Sequence, residues 1–453
     1  MIFTVSRLRI AILLLSVTVS VHSFAQEKVV GYYPTWMQYS LPPGQVKFNY
    51  LTHLMHAFAW PLADGSITTD QSPVDTAIIN ATHRAGRKIL ISLGGATESG
   101  AFSGLAADSV LRAAFASNIL AYVLKYNYDG VDLDWESPGT VGDKTNEVAL
   151  VKKIREVFTT VNTPLLLTMA IGVTSWTGQW RDYPHLLPYV DWFHAMTYDF
   201  HGSWTAHSGH NAPMYAPMTD YDGCVTQGIV YLHTSRGIPS SQLVLGLPFY
   251  GKEFVSSTLY GPSTGCTDLL YSDVVTRESQ NYSYHWDNLS QVPYLVGPSN
   301  NGIVTFDDST SLSIKCAYAK RQNLAGVMIW ALGQDLVAGK QPLMEAVGIA
   351  MSSSTGIEGA GGDAIPSATA LLANYPNPFN PTTVISYQLS VATEVKIVIY
   401  DLLGQEIAVL VNEKRGPGSY TIEFNAGGLA SGVYLCRLLT NSSVQTRELV
   451  LVR

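Results

Sequence analysis

Residues 128–136, YDGVDLDWE, place the carboxyl groups of Asp129, Asp132, Asp134 and Glu136 within eight positions and interleave three of them with Val131, Leu133 and Trp135. Successive side chains of a strand point to opposite faces, so Asp132, Asp134 and Glu136 share one face. Val131, Leu133 and Trp135 share the other, and their β-branched or aromatic character suits a strand backed by a hydrophobic layer. Like charges about 7 Å apart along a partly buried face repel one another, and the repulsion keeps at least one group a carboxylic acid near neutral pH. That is the requirement for a general acid. Two structural readings compete: an edge strand with solvated acids, and a calcium loop. The calcium loop fits less well, because it needs a glycine-bearing turn and mixed oxygen ligands.

The elements that must hold this face are legible from Val29 to about Ala350. The short apolar runs VVGYY, HLMHAFAW, KILISLG, GVDLDW, PLLLTMA, YVDWFHAM, QLVLGLPFY and LAGVMIWAL predict eight strands. Between them, segments such as SVLRAAFASNILAYVLKYN and NEVALVKKIREVFTT carry apolar residues at helical spacing. This alternation predicts an α/β fold, a (β/α)8 TIM barrel with its active site at the carboxyl ends of the strands. Glu136 falls at the end of the fourth strand. From about Lys252 to Asp308 the chain is rich in Tyr, Ser and Asn, which predicts an α+β insertion between strands 7 and 8.

The 453 residues are 47% hydrophobic and 14% charged, a composition that supports a large core. A net charge of -8 with no basic run argues against nucleic acid or an anionic membrane as partner and favours a neutral substrate. Residues 1–25 read as a secretory signal peptide: Arg7 and Arg9, an apolar run, then Ser23 and Ala25 at the small positions before a cut. No later stretch is apolar for the roughly 18 residues of a membrane span, so the mature chain is expected to be secreted or at the cell surface. The catalytic barrel is expected over 26–350. Residues 351–370 have the composition of a flexible linker, and their GAGG lacks the strand and helix that a phosphate loop requires. Residues 371–453 alternate in short segments that predict a small all-β, Ig-like sandwich. Cys224, Cys266, Cys316 and Cys436 are widely spread, leaving room for at most one bridge in the first domain. No cofactor is expected and no metal site, the pair His207 and His210 being in a loop without matching carboxylate spacing.

DGVDLDWE resembles the DxxDxDxE signature of glycoside hydrolase family 18, the chitinase family. VVGYYPTW, SLGG, MTYDFHGSW, GLPFYG and VMIWALGQD resemble that family at strands 1, 3, 6, 7 and 8, so the likeness runs over nearly all of 29–348. It implies that Glu136 is the general acid, that Asp134 orients the substrate's acetamide and that Asp132 shares a proton with Asp134. Asp129 is expected to be structural. In this family the nucleophile is the substrate's own N-acetyl carbonyl, an exception to the two-carboxylate scheme, and configuration is retained. Tyr198 is expected to donate to that carbonyl. Asp199, Met196, Tyr250, Trp36, Phe58, Trp204 and Tyr32 are expected to bind substrate, with Trp330 as the floor under the reacting sugar. Each has a plainer alternative: Trp330 as core, Tyr198 and Asp199 as a strand-end hydrogen-bonded pair, the loop tryptophans as caps over the core. Two departures stand out. Many relatives have Trp where this chain has Ala96, and commonly Arg where it has Lys252, which turns a bidentate contact into a point charge.

The resulting expectation is a secreted chitinase acting on chitin and chitooligosaccharides. An endo-β-N-acetylglucosaminidase and a non-catalytic sugar-binding lectin are the alternatives. In the last unit, NYPNPFNP, LASGVYLCRL and VQTRELVLVR resemble the C-terminal sorting domains of the type IX secretion route, which makes the export machinery a second expected partner. A chitin-binding module or a plain spacer is the rival there, although all nine tryptophans lie at or before Trp330.

Overall fold

Strands buried on both faces need apolar residues in both phases, and the runs between Lys28 and Trp330 supply them. The computed structural model describes residues 27–69, 74–217, 220, 222–352, 369–371, 374, 379–441 and 443–452. The signal peptide at 1–25 and most of the 351–370 linker lie outside the described residues.

Eight strands form the barrel: β1 (Lys28–Pro34), β2 (His53–Pro61), β3 (Lys88–Gly94), β4 (Gly130–Asp134), β5 (Leu166–Ile171), β6 (Trp192–Ala195), β7 (Leu243–Pro248) and β8 (Gly326–Trp330). Every neighbouring pair is parallel, and β1 pairs with both β8 and β2, which closes the sheet. The alternate phases separate two hydrophobic layers. Val30, Tyr32, Met55, Leu90, Trp192, Val244 and Met328 fill the interior. Val29, Tyr33, Leu54, Ile89, Val131, Leu133, Val327 and Ile329 pack outward with helix residues such as Phe115, Ile119, Leu150 and Ile154. The helices beside β4 start on side-chain caps. The Asp108 carboxylate accepts the Val110 and Leu111 N–H groups at the start of Ser109–Tyr126, and the Thr140 hydroxyl accepts the Asp143 N–H at the start of Val141–Phe158.

The α+β insertion begins slightly earlier than the sequence suggests, at a strand two residues beyond β7. Strands Cys266–Leu270, Tyr250–Phe254, Ile303–Thr305, Val292–Val296 and Ser283–Asp287 lie in that spatial order in one antiparallel sheet, joined by helix Tyr271–Ser279. Contacts divide the chain into Met1–Ser353 and Ser354–Arg453. The second unit is a sandwich of two antiparallel sheets. Ala370–Leu371, Thr382–Leu389 and Gly418–Asn425 make one, and Glu406–Arg415, Thr393–Tyr400, Gly432–Thr440 and Val444–Leu451 the other. Its core includes Phe379, Ile385, Ile397, Phe424, Leu438 and Leu449. All four cysteines are free, so the possible bridge in the first unit is not formed. Among the described residues no helix is long and apolar enough to cross a membrane.

Candidate active site

Parallel register brings the polar interior together. Ser92 of β3 stands beside Asp132 of β4, and Asp132 beside Thr168 of β5. The Ser92 hydroxyl donates to Asp132 Oδ2 (2.8 Å), Thr168 to Oδ1 (2.6 Å) and the Tyr32 phenol to Oδ2 (2.7 Å). His194 Nδ1 lies 3.3 Å from Oδ1. The Trp192 indole, which can only donate, is 2.7 Å from His194 Nε2, so a neutral His194 carries its proton on Nδ1, facing Asp132. Burial by itself pushes the Asp132 carboxyl up, but His194 and the hydroxyls of Thr168 and Tyr32 outweigh it and hold the group below the ordinary carboxylate range.

Asp134, next on the same face, has no such shell. Its Oδ1 is buried and without a hydrogen-bond partner. Burial first, then repulsion from Glu136 and Asp132, raise its pKa well above the usual range, and Arg181 only partly opposes them. Glu136, two residues beyond the strand, is raised chiefly by burial and then by Asp199, again against Arg181. The three inward carboxyls therefore divide into an inner group held below the ordinary carboxylate range and two raised above it, the repulsion inferred from spacing resolved by position.

The loop carrying Glu136 is pinned from both sides. Gly94 has φ +111°, and a Cβ there would stand 2.2 Å from the Asp134 carbonyl oxygen, so the ends of β3 and β4 approach this closely only with glycine. The Ser99 hydroxyl accepts the Glu136 N–H (3.0 Å) and lies 2.8 and 3.0 Å from the carbonyls of Gly95 and Asp134. Arg181, fully buried, pairs with Glu147 at 2.6 Å and donates to the Trp135 carbonyl. Asp129 sits at the opposite end of β4, accepting the Ile89 N–H (2.8 Å) and facing His83 Nε2 (2.9 Å), which is a bracing position remote from the cleft.

Around this acid the aromatic residues form two groups. Trp36, Phe58 and Trp330 follow one another at ring separations of 6.4 and 5.6 Å, and Tyr32 meets Trp330 edge-on at 5.6 Å. Trp36 is 54% exposed, so the strip runs from the barrel interior out to solvent. In the second group Tyr198 and Tyr250 meet edge-on, and the Tyr250 hydroxyl donates to Asp199 Oδ1 at 2.6 Å. Among the described residues the Tyr198 hydroxyl has only the Met328 sulfur, 4.0 Å away, and burial followed by the charges of Asp134 and Asp199 keeps it a donor. Met196 packs in the interior cluster with Tyr198 and Trp330. Trp204 lies 62% exposed with the Lys252 ammonium 5.1 Å from its ring. Lys252 is itself buried and bridges Asp199 (2.9 Å) and Asp268 (2.7 Å), so the point charge ties the acidic loop after β6 to the insertion. Beside Glu136, Ala96 lines a cleft with Thr97, Ser99, Ser103, Ser137 and Asp143, and contributes no ring to it.

Sequence reasoning missed Ser92, Thr168, His194, Ser99 and the Arg181–Glu147 pair. The first three had a signal: each is a polar residue in the inward phase of a strand that is otherwise apolar inside. His207 and His210, weighed together from the sequence, go separate ways: His210 faces Asp287 of the insertion (3.0 Å) and His207 faces Asp222 (3.3 Å).

A closed parallel barrel with raised carboxyl groups at the carboxyl ends of its strands, and a strip of aromatic rings that reaches solvent, fits a carbohydrate-cleaving class of protein. Residues 28–335 match the family described as Glycosyl hydrolases family 18, and the chain belongs to that family. Residues 373–452 match the Secretion system C-terminal sorting domain, of the type IX route, which makes this a secreted or cell-surface protein. Chitinase A1 of Niallia circulans is 29% identical over 68% of this chain and 56% of its own length. Probable chitinase 2 of Drosophila melanogaster is 35% identical over 57% of this chain and 58% of its own. The chain thus spans little more than half the length of these relatives. The crystal structure of the Ostrinia furnacalis Group IV chitinase in complex with allosamidin superposes with a TM-score of 0.67 at 29% identity, over 72% of this chain and 99% of that one.

Proposed function

We propose that this protein is a chitinase that hydrolyses β-1,4 bonds between N-acetylglucosamine units with retention, the substrate's acetamide serving as nucleophile. The observation that carries this reading is Asp134: a buried carboxyl with an unpartnered oxygen, its pKa raised well above the usual range by burial and then by Glu136 and Asp132. A group in that state is poorly suited to attack a sugar, but its Oδ1 is an acceptor awaiting an N–H. With the acetamide N–H on Asp134 and its carbonyl oxygen receiving the Tyr198 hydroxyl, that oxygen is aimed at the anomeric carbon. Glu136 gives its proton to the glycosidic oxygen, the C1–O bond breaks, and the carbonyl oxygen closes on C1. The Asp132–Asp134 pair carries one proton and one negative charge, and that charge opposes the positive charge developing on the acetamide. Water then adds at C1, the Glu136 carboxylate takes its proton, and the acetamide is restored.

The strip Trp36–Phe58–Trp330 favours a linear sugar chain, since ring faces take the apolar C–H faces of successive units. The relatives named as chitinases support the same substrate. Release of short products from chitohexaose, with a high-mannose glycopeptide left intact, is the expected outcome. Cleavage of the glycopeptide alone would make the enzyme an endo-β-N-acetylglucosaminidase, and binding without cleavage of either would make it a lectin.

The pH profile carries a further prediction. Asp199 raises the Glu136 pKa by repulsion, so removing its charge lets Glu136 ionise at lower pH. In Asp199→Asn the alkaline limb of kcat/KM moves to lower pH, as read from rates on a chromogenic chitobioside between pH 4 and 9. A limb that stays in place or moves up contradicts the acid assignment.

We propose that the unit from residue 371 addresses the chain to the export machinery. Its exposed large apolar residues among those described are aliphatic, Val391, Leu402, Leu403, Val409, Val444 and Val452, and none is an aromatic platform for sugar. A chain ending at Ala350 is expected to keep its activity on soluble oligomers and most of its binding to insoluble chitin, while it stays inside the native host. Loss of chitin binding with export unchanged would make the unit a chitin-binding module.

A further inference from the structure

We infer that His201, His207 and Asp222 form a binding site for a divalent cation of the zinc class, separate from the catalytic carboxyls. The imidazole nitrogens and the carboxylate oxygen of these three residues all lie within 4.8 Å of one another. His201 Nε2 is 3.4 Å and His207 Nε2 is 3.3 Å from Asp222 Oδ2, and Asp220 Oδ1 stands 3.2 Å from His201 Nε2. Ligands bound at zinc distances around a tetrahedral centre stand about 3.3–3.5 Å apart, so these separations are edges of such a figure. The His201 ring is oriented for the task. Its Nδ1 faces the His210 carbonyl at 2.9 Å and can only donate there, which leaves Nε2 as the free ligand atom, the outer hydrogen bond that metal-bound histidines usually make.

The second observation is that His201 Nε2, in a fully buried side chain, stands 3.2 Å from Asp220 and 3.4 Å from Asp222 without a well-aligned hydrogen bond to either carboxylate. Asp220 Oδ2 is likewise buried without a partner. A cation between His201, His207 and Asp222 would take the His201 Nε2 lone pair, and neutral imidazole with carboxylate is a donor set suited to zinc. Such an ion would join the loop that follows Tyr198 and Asp199 to Asp222, ahead of helix Val225–Val230. Its role is structural, as the catalytic carboxyls take no part in it.

Isothermal titration of the full chain with zinc chloride after dialysis against EDTA tests this. One zinc per chain, a higher melting temperature with zinc than with magnesium, and at least about a 100-fold weaker affinity in both His207→Gln and Asp222→Asn are expected. Both substituted side chains are over one-third exposed, which favours correct folding. Zinc uptake that is absent, or unchanged in both variants, overturns the proposal. A crystal of the native chain soaked in zinc and measured at the zinc absorption edge gives an independent answer: an anomalous peak between His201, His207 and Asp222 supports it, and peaks only elsewhere overturn it.

Discussion

Replacing Glu136 with Gln lowers turnover of chitin oligomers about 10³–10⁴-fold while leaving oligosaccharide affinity within a few-fold, because the amide keeps the shape of the acid and lacks only the proton it delivers. The effect is expected to be this large because the neighbouring carboxyls are engaged elsewhere, Asp134 in this account by the acetamide N–H. Asp132 is ionised within its shell of hydroxyls and His194. Asp199 is held by Tyr250 and Lys252. Single-turnover rates on chitotetraose, alongside titration calorimetry on the variant, separate the chemical step from binding. A variant retaining most of its activity removes Glu136 from the role of acid.

The second large effect lies in the substrate. An oligomer lacking the N-acetyl group on the sugar at the cleaved bond should react at least about 10³-fold more slowly than its acetylated counterpart, because the tethered carbonyl works at an effective concentration that free water cannot match. The protein offers little in its place: burial and the charges of Glu136 and Asp132 raise the Asp134 pKa and weaken it as a nucleophile. Fully deacetylated chitosan should be refractory for the same reason, and a thiazoline analogue of the cyclised sugar should inhibit. Comparable rates on both oligomers would mean that a side chain, not the acetamide, attacks the anomeric carbon.

The inward direction of Asp132 and Asp134 could be read from the period of β4, because the opposite phase holds Val131, Leu133 and Trp135, which only a helix-covered outer layer would accept. The barrel was legible for the same reason. What the period does not contain is register. Ser92, Thr168 and His194 are isolated polar letters until parallel pairing sets Ser92 and Thr168 on either side of Asp132, and the lowered pKa of that carboxyl follows from His194 first, then Thr168 and Tyr32. Long-range pairs were equally hidden. Arg181, between two short helices, meets Glu147 of helix Val141–Phe158, and the carboxylates facing His207 and His210 are Asp222, fifteen residues on in the same connection, and Asp287 of the insertion. The early start of the insertion escaped notice because Tyr250–Phe254 continues the apolar run of β7 with only Phe249 between them.

The central claim is that the substrate's acetamide displaces the leaving sugar while Glu136 supplies the proton, and the anomeric form of the first product tests it most directly. Proton NMR of chitotetraose hydrolysis, recorded within the first minutes and before mutarotation, should show the new reducing end in the β configuration, with the α signal growing only later. If the α anomer appears first, water has attacked the sugar directly from the opposite face and the account is wrong.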